Sequence, residues 1–180
     1  MKRYLRFIIC LCFTNIKFII IKLFHNKFKY NMYSVCSPFS EIEIRNGKLY
    51  IDKGLKMRSN SHIRVRSNAI IKIGKNFSMN YGCMLVSHKK IEIGNNVILA
   101  PNVMIYDHDH DYKKSLIDNK YNSKPITIGS NVWIGANSVI LKGSYIGDNV
   151  VIGAGTVVCG KIPNNTVVYR NNTLTVKKYR

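Results

Sequence analysis

Histidines and aspartates alternate in one short stretch of the chain, the segment IYDHDHDYKK at residues 105–114. A histidine in a surface loop is a natural general base, because its unperturbed pKa lies near neutrality and a neighbouring carboxylate can orient its ring. The same residue types at alternate positions can also ligate Zn²⁺. The segment therefore predicts acid–base chemistry or, as an alternative, a metal site. The residues concerned are Asp107, His108, Asp109, His110 and Asp111.

A period of six residues in the second half of the chain predicts the scaffold that holds this segment. Helices repeat near 3.6 residues and strands near 2, whereas a sustained period of six is typical of a β-helix, in which each short strand forms one side of a coil. Small or β-branched residues follow each aliphatic position by four, which suits a narrow interior. The aliphatic positions are Ile128, Ile134, Ile140, Ile146, Ile152 and Val158.

The residues three positions after each aliphatic residue predict the corners of the coils. Asn and Gly tolerate positive φ better than other residues, and they fill most of these positions. The predicted corners are Asn131, Asn137, Gly143, Asn149, Gly155 and Lys161. The sequence therefore predicts an all-β fold, a parallel β-helix over residues 41–165, with an N-terminal helical segment at 1–40 and a tail at 166–180.

Extra residues between repeat positions indicate which part of the coil carries a functional loop. Two extra residues separate Ile73 from Ile93, and five extra residues separate Ile105 from Ile128. Insertions in a repeat array map to loops, which often carry function. The larger slip predicts a protruding loop at about residues 109–124, directly after the corner at His108.

The same register separates the histidines. His108 and His88 both fall on predicted corner positions, where histidine is among the residues enriched at positive φ. His110 stands two residues past the corner and has no such structural explanation, so it is the candidate base. Asp109 and Asp111 are equally placed to orient its ring. The register also aims Trp133 outward, toward either a ligand or another subunit.

The first thirty residues are apolar and basic, with seven Lys or Arg and no acidic residue. Arg6, Lys17 and Lys22 interrupt the apolar run, which favours a helix in a membrane interface over a spanning helix. An anionic membrane would suit the basic charge, but the same helix could instead cover the open first coil. On a helical wheel one side collects the polar residues Arg3, Arg6, Thr14, Lys17 and His25.

Composition limits the partners and the compartment. The chain has 28 Lys and Arg against 9 Asp and Glu, a net charge of +19, which favours anionic partners unless it only reflects AT-rich codon usage. No nucleic-acid-binding motif is present, so nucleic acid is not expected. Five scattered cysteines form neither a disulfide framework nor paired zinc-binding spacing, which fits a reducing cytoplasm.

Four segments together carry a pattern that extends beyond the repeat itself. They are IGKNFSMNYGC (73–83), IEIGNNVILAPNVMIYDHDH (91–110), KPITIGSNVWIGANSVI (124–140) and IGDNVVIGAGTVV (146–158). These segments resemble the hexapeptide-repeat acyltransferases, above all the maltose, galactoside and nodulation acetyltransferases and their relatives that O-acetylate capsular or lipopolysaccharide sugars. The similarity implies a left-handed β-helix, a homotrimer with active sites between subunits, acetyl-CoA as acyl donor, and no metal.

The resemblance also implies roles for individual residues. His110 matches the catalytic histidine of the family, and Asn80 matches the asparagine that helps bind the acceptor. Trp133, Ala136 and Ala154 match positions at the acetyl-CoA site. Two of the departures from the family pattern concern candidate site residues. The lysine of the closing segment is shifted by one position, to Lys161, and the acceptor-binding acid of the galactoside enzymes is replaced by His88.

Register predicts where the two central residues lie. Asn80 falls on the second side of its coil and His110 closes the third side of the next, while a six-residue side spans roughly 20 Å. The two would therefore meet only between subunits, as the family's trimers imply. The expected function is O-acetylation of a sugar or surface polysaccharide precursor in the cytoplasm or on the inner membrane face. The alternatives are a metal-dependent enzyme of the γ-carbonic anhydrase type and a non-catalytic scaffold.

Overall fold

The computed structural model describes residues 2–31, 33–111 and 120–170 of the chain. The described chain begins with helix α1 (Lys2–Phe24) and continues as short strands that wind around one axis. Three sheets of seven, seven and six strands form the sides of this coil, and neighbouring strands in each are parallel. The predicted parallel β-helix with an N-terminal helix is confirmed.

The strands are numbered in chain order, and each coil adds one strand to each sheet. Sheet A contains β1 (Phe28–Lys29), β4 (Lys48–Ile51), β7 (Ile70–Ile73), β10 (Lys90–Ile93), β15 (Ile126–Ile128), β18 (Tyr145–Ile146) and β21 (Lys161–Ile162). Sheet B contains β2 (Val35–Cys36), β5 (Lys56–Met57), β8 (Ser78–Met79), β11 (Ile98–Leu99), β16 (Trp133–Ile134), β19 (Val151–Ile152) and β22 (Val167–Val168). Sheet C contains β3 (Glu41–Ile44), β6 (His62–Val65), β9 (Met84–Ser87), β12 (Met104–Tyr106), β17 (Val139–Ile140) and β20 (Val157–Val158).

The aliphatic residues of the six-residue repeat form the core, as predicted. Side chains alternate across a strand, so one residue of each two-residue strand points into the coil. All six aliphatic positions from Ile128 to Val158 are buried, and so are the residues four positions later. The strands extend beyond 41–165 at both ends, from Phe28 to Val168. The period could not detect the first coils because they are longer: Leu49 pairs with Ile71 rather than with a residue eighteen positions on.

The corners are named by the sheets that they join. The AB corner, from sheet A to sheet B, has positive φ at an Asn in five successive coils, whose amides hydrogen-bond from coil to coil at 2.9–3.1 Å. These residues, called the asparagine ladder below, are Asn76, Asn96, Asn131, Asn149 and Asn165. The BC corner likewise has positive φ at Asn60, Gly82, Asn102, Asn137 and Gly155.

The CA corner, from sheet C to sheet A, contradicts three of the predicted corner assignments. Positive φ occurs here at Asn46, Asn68, Gly143 and Gly160. Gly160 replaces the predicted Lys161, because this last corner is short and Lys161 already begins β21. His88 and His108 do not adopt positive φ either, since the coils to which they belong leave the regular corner at this point.

Helix α1 caps the open end of the first coil. Phe18 is fully buried and packs edge-on against Phe28 and Tyr30, with ring centroids 5.4 and 5.1 Å away. The Thr14 hydroxyl accepts a 2.7 Å hydrogen bond from the backbone N–H of Cys36. Lys17 Nζ donates to the carbonyl of Ser40 at 2.6 Å. The polar side of the helix thus satisfies the exposed strand edge, which would otherwise leave backbone groups unpaired.

The structure shows which side of α1 faces the first coil. Of the polar side predicted from the helical wheel, Thr14 is buried and Lys17 and His25 are half-buried, while the side chains of Arg3 and Arg6 lie outside the described part. The window Phe7–Phe24 has a mean hydropathy of 2.2 and is long and apolar enough to cross a membrane by length and composition, although only 11% of it is buried. Composition alone therefore does not exclude a spanning helix, contrary to the sequence-based expectation.

Candidate functional site

The histidine segment leaves the coil as an antiparallel hairpin at the CA corner. Strand β13 (His108–His110) pairs with β14 (Tyr121–Ser123), so that His110 lies opposite Tyr121. Backbone hydrogen bonds close the base of the hairpin, from Lys124 N–H to the Asp107 carbonyl at 2.9 Å. This is the insertion that the phase slip predicted, although its first strand begins at His108 rather than at 109. Residues 112–119 of the predicted loop lie outside the described residues.

A buried carboxylate fixes this corner. Asp107 is fully buried and accepts hydrogen bonds from the Ser87 hydroxyl at 2.6 Å and from three successive backbone N–H groups, those of residues 88–90, at 2.7–2.8 Å. Its Oδ1 also lies 3.3 Å from Nδ1 of His108. Burial alone would raise the pKa of Asp107, but these hydrogen bonds outweigh it and hold the pKa below its usual value. The carboxylate therefore replaces the positive-φ residue that makes the turn in regular coils.

Three imidazoles and a tyrosine gather on this anchored corner. The rings of His88 and His108 are tilted by 34° with centroids 3.8 Å apart, and the ring centroid of Tyr121 lies 4.3 Å from that of His88. The ring of His110 lies 4.8 Å from that of Tyr121, and His110 is exposed to solvent. Burial and the neighbouring His108 lower the pKa of His88 to about 4. His88 is therefore neutral near pH 7, and the structure brings it close to the candidate base.

The two carboxylates beside His110 differ in their contacts. Asp109 forms an ion pair with Lys142 in the next regular CA corner. Asp111 continues the hairpin and donates its backbone N–H to the Lys120 carbonyl at 2.9 Å. The ion pair gives Asp109 a structural role in holding the hairpin against the coil. A surface ion pair of this kind contributes about 0–1 kcal/mol, so the Asp107 contacts dominate the anchoring of this corner.

Asn80 lies at the BC corner, directly after β8. Its backbone carbonyl accepts a 2.6 Å hydrogen bond from the Ser61 hydroxyl, and its N–H donates to Leu99. His110 leaves sheet C at the opposite, CA edge. One side of the coil separates the two corners, roughly 20 Å at about 3.3 Å per residue. The structure therefore does not bring Asn80 and His110 together within one chain.

The residues matched to the acetyl-CoA site lie mainly along the same edge as Asn80. Ala136 and Ala154 follow β16 and β19 at the BC corner of successive coils, and the Ala136 carbonyl accepts the Gly155 N–H at 2.8 Å. Gly135 permits this close stacking, because a Cβ there would lie 2.5 Å from the Ala154 nitrogen. The corner therefore presents a narrow, backbone-lined edge.

Trp133 and Lys161 lie on different sheets. Trp133 is in β16 of sheet B with 50% of its surface exposed, so its predicted outward orientation is confirmed. Its neighbours in register are Ile98 and Val151. Lys161 is in sheet A, with Nζ 5.7 Å from the centre of the Tyr145 ring. Trp133 thus adjoins the edge formed by Ala136 and Ala154, whereas Lys161 does not.

Two residues of the corner escaped the sequence analysis. Asp107 was one of several acids in the segment, and nothing marked it as the acceptor of hydrogen bonds from residues 87–90. Tyr121 is brought to the histidines only by the hairpin pairing. For the metal alternative, the described part of the chain contains no group of three or more His, Cys, Asp or Glu that could hold a metal ion.

Comparisons with known proteins agree with the coiled fold. The family model for the bacterial transferase hexapeptide (six repeats) matches residues 125–160. The galactoside O-acetyltransferase of Escherichia coli (strain K12) is 47% identical over 98 residues, which cover 54% of this chain and 48% of that protein. The chain thus spans about half the length of this relative.

Two further matches cover more of the chain. A solved galactoside acetyltransferase in complex with coenzyme A is 36% identical with a TM-score of 0.51, covering 72% of this chain and 60% of that one. The galactoside O-acetyltransferase of Lactococcus lactis subsp. lactis (strain IL1403) is 32% identical over 157 residues, covering 83% of this chain and 73% of that protein. With this extent of similarity and the coiled parallel sheets, the chain belongs to the family of hexapeptide-repeat acetyltransferases.

Proposed function

We propose that this protein is an acetyl-CoA-dependent O-acetyltransferase that acts on a hydroxyl group of a sugar or surface polysaccharide precursor. The observation that carries the proposal is the exposed His110 on a hairpin whose base is fixed by the buried Asp107. An imidazole that is accessible and held on a rigid base suits a general base. The family to which the chain belongs adds support, since its relatives are named O-acetyltransferases.

In the proposed mechanism, His110 accepts the proton of the acceptor hydroxyl as its oxygen forms a bond to the acetyl carbonyl carbon. When bound, acetyl-CoA supplies an activated thioester whose thiolate is a good leaving group, so no covalent enzyme intermediate is required. Asn80 or a backbone N–H would donate a hydrogen bond to the developing oxyanion. The proton held by His110 is then available for the departing sulfur, which balances the transfer.

The donor and acceptor are assigned to different surfaces. We place acetyl-CoA along the BC corner beside Trp133, Ala136 and Ala154, with Lys161 meeting its phosphates from sheet A. We place the acceptor at the CA corner, with His88 next to His110. His88 is neutral near pH 7 and stands where the galactoside enzymes have an acid, so the acceptor differs from a galactoside. A neutral ring does not repel an acidic sugar, and the net charge of +19 favours one.

The proposal includes a homotrimer, which the separation of the two edges supports. Asn80 at the BC corner and His110 at the CA corner cannot share one substrate within a chain, whereas two subunits related by a three-fold axis can bring unlike edges together. The proposed active site therefore takes His110 from one subunit and Asn80 from the next. We place this trimer in the cytoplasm, where acetyl-CoA is available.

Thiol release from acetyl-CoA, measured against a panel of neutral and acidic sugars, tests the activity. We expect acceptor-dependent release of free CoA and no release without acceptor. Equilibrium dialysis with labelled acetyl-CoA provides the second measurement. A chain that binds no acetyl-CoA would be a scaffold, whereas stoichiometric zinc and loss of activity on chelation would indicate the metal-dependent alternative.

Mixing two inactive variants tests the shared site. Co-expressed His110→Ala and Asn80→Ala chains form mixed trimers, in which some interfaces combine an intact His110 with an intact Asn80. We expect about a quarter of the parent activity on random mixing, because each interface draws its two residues from different subunits. No recovery from a preparation shown to contain mixed trimers would place both residues in one chain.

A further inference from the structure

The polar side of helix α1 packs against the first coil, and its apolar side faces solvent. Thr14, Lys17 and Phe18 attach it to the first coil. The opposite side carries a continuous row of aliphatic residues whose surfaces are 50–77% exposed. This row, called the outer face below, comprises Leu5, Ile9, Ile16, Ile20 and Leu23. Capping a coil requires only one side of a helix, so the outer face has no role in the fold described above.

The outer face continues onto the first coil. Phe39, in the turn after β2, is 76% exposed beside the helix. Between the helix and this turn lies an apolar groove of about 380 Å³, which Leu5, Ile9 and Pro38 help to line. An apolar surface of this extent on a soluble domain marks an interaction site.

Charge indicates what covers this surface. Residues 1–30 carry seven Lys or Arg and no Asp or Glu. Three exposed lysines lie at the end of the helix, in the turn after it and in β1; they are Lys22, Lys27 and Lys29. A second copy of the chain docked on this face would bring two such basic segments together without any acid between them. An anionic lipid surface supplies both an apolar phase and opposite charge.

We propose that the outer face of α1 binds the surface of an anionic bilayer, with the helix lying in the membrane plane and the coil standing on the membrane through its capped end. A spanning orientation is incompatible with the cap. The contacts to Cys36 and Ser40 hold the first coil against the middle of the helix, so a spanning helix would carry strand edges and turns into hydrocarbon. In this orientation, the hairpin that carries His110 would lie only a few coils above the first coil, with about 4.8 Å between successive coils.

Vesicle sedimentation with the full chain tests the proposal. We expect the protein to sediment with vesicles of equal parts phosphatidylcholine and phosphatidylglycerol, and much less with phosphatidylcholine alone or at high salt. Ile16→Glu and Ile20→Glu should each weaken binding at least about ten-fold, because they place a charge in the apolar phase. Val167→Glu is the matched control, since Val167 is 64% exposed at the opposite end of the coil.

The remaining measurements separate this orientation from its competitors. Circular dichroism melting should be the same for all variants, because the three positions are exposed, and acetyl transfer to a soluble acceptor should also be unchanged. Failure of acetyl transfer in the parent would therefore leave the lipid result intact. Absent vesicle binding, or binding that both glutamate variants retain, would overturn the proposal. If the parent protein bound no vesicles and Ile16→Glu dissociated a larger assembly, a second copy of the chain would occupy this face and the proposal would be wrong. Resistance of the membrane-bound protein to alkaline carbonate extraction would also overturn it, because that result would show a spanning helix.

Discussion

Two corners of the same coil solve the same geometric problem with different residues. At the AB corner, the asparagine ladder turns the chain by positive φ in five successive coils and links the turns through side-chain amides. At the site corner, which residues 87–90, 107–111 and 120–124 form at the CA edge, a buried carboxylate and an antiparallel hairpin replace this device. A repeated turn stabilises the coil but offers every ligand the same surface. The exceptional corner is where the chain presents an exposed imidazole, that of His110.

The sharpest difference between the corners should appear in catalysis. His110→Ala should lower kcat by about 10²–10⁴-fold, because it removes general-base assistance while leaving the hairpin backbone in place. Steady-state kinetics with acetyl-CoA and a reactive acceptor measure this, and acetyl-CoA binding should be largely unchanged. His25→Ala, directly after α1 at the capped end of the coil, is the matched control and should keep kcat within about two-fold. Near-normal turnover by His110→Ala would remove the proposed base.

Asp107 makes the site corner depend on one side chain. Asp107→Ala should destabilise the fold by about 3–5 kcal/mol, because it leaves the Ser87 hydroxyl and three backbone N–H groups without their acceptor. Urea unfolding monitored by circular dichroism measures the change. Asp148→Ala is the control, since Asp148 is exposed and accepts N–H from Ser130 at the AB corner. A similar loss in both variants would mean that Asp107 is no more than an ordinary turn residue.

The contrast between the corners also explains what the sequence could and could not predict. Regular coils follow from local pattern, since the aliphatic period and the Asn or Gly at each corner lie within six residues of one another. The acceptor role of Asp107 depends on Ser87, 20 residues away in the sequence, and on backbone groups that carry no sequence signal. Tyr121 reaches the histidines through a hairpin whose register the phase slip did not specify.

The N-terminal helix was predictable in a similar, partial way. Its apolar and basic composition predicted a helix that either caps the coil or contacts a membrane. A helical wheel separates Thr14 and Lys17 from the aliphatic residues, but it does not say which side meets the protein. The strand edge of the first coil determines which side faces the protein. The N–H of Cys36 and the carbonyl of Ser40 would have no partner without the helix, so they require its polar side.

Acidification should weaken the site corner before it affects the ladder. The folded pKa of His88 is about 4, below the ordinary value of 6.5, so the unfolded chain takes up a proton first as the pH falls. Stability is therefore lost progressively from pH 6.5 toward 4, by about 1–2 kcal/mol after allowance for the half-exposed ring. Asp107 has a pKa below its usual 3.8, so its contribution is lost at still lower pH.

Melting temperature measured from pH 7 to pH 3 checks this dependence. His88→Asn should flatten the curve between pH 6.5 and 4 without changing the fall below it. The control Asn96→Gly, in the ladder, should shift the whole curve and leave its shape unchanged, because an amide does not titrate. Equal slopes for His88→Asn and the parent protein would mean that His88 is not the group responsible.

The smallest expected effect lies in the ladder itself. Asn96 has φ of 56° and hydrogen-bonds to Asn76 and Asn131 on either side. Asn96→Ala should cost about 1 kcal/mol, because it adds the strain of a left-handed backbone to the lost amide contacts. Asn96→Gly loses the same contacts but relieves the strain, so it should cost about half as much. Urea unfolding of both variants measures the difference, with kcat expected to stay at the parent value. If alanine were tolerated as well as glycine, the asparagine ladder would stabilise the coil through its amide hydrogen bonds alone. The two corners would then differ in their hydrogen bonds rather than in their backbone conformation.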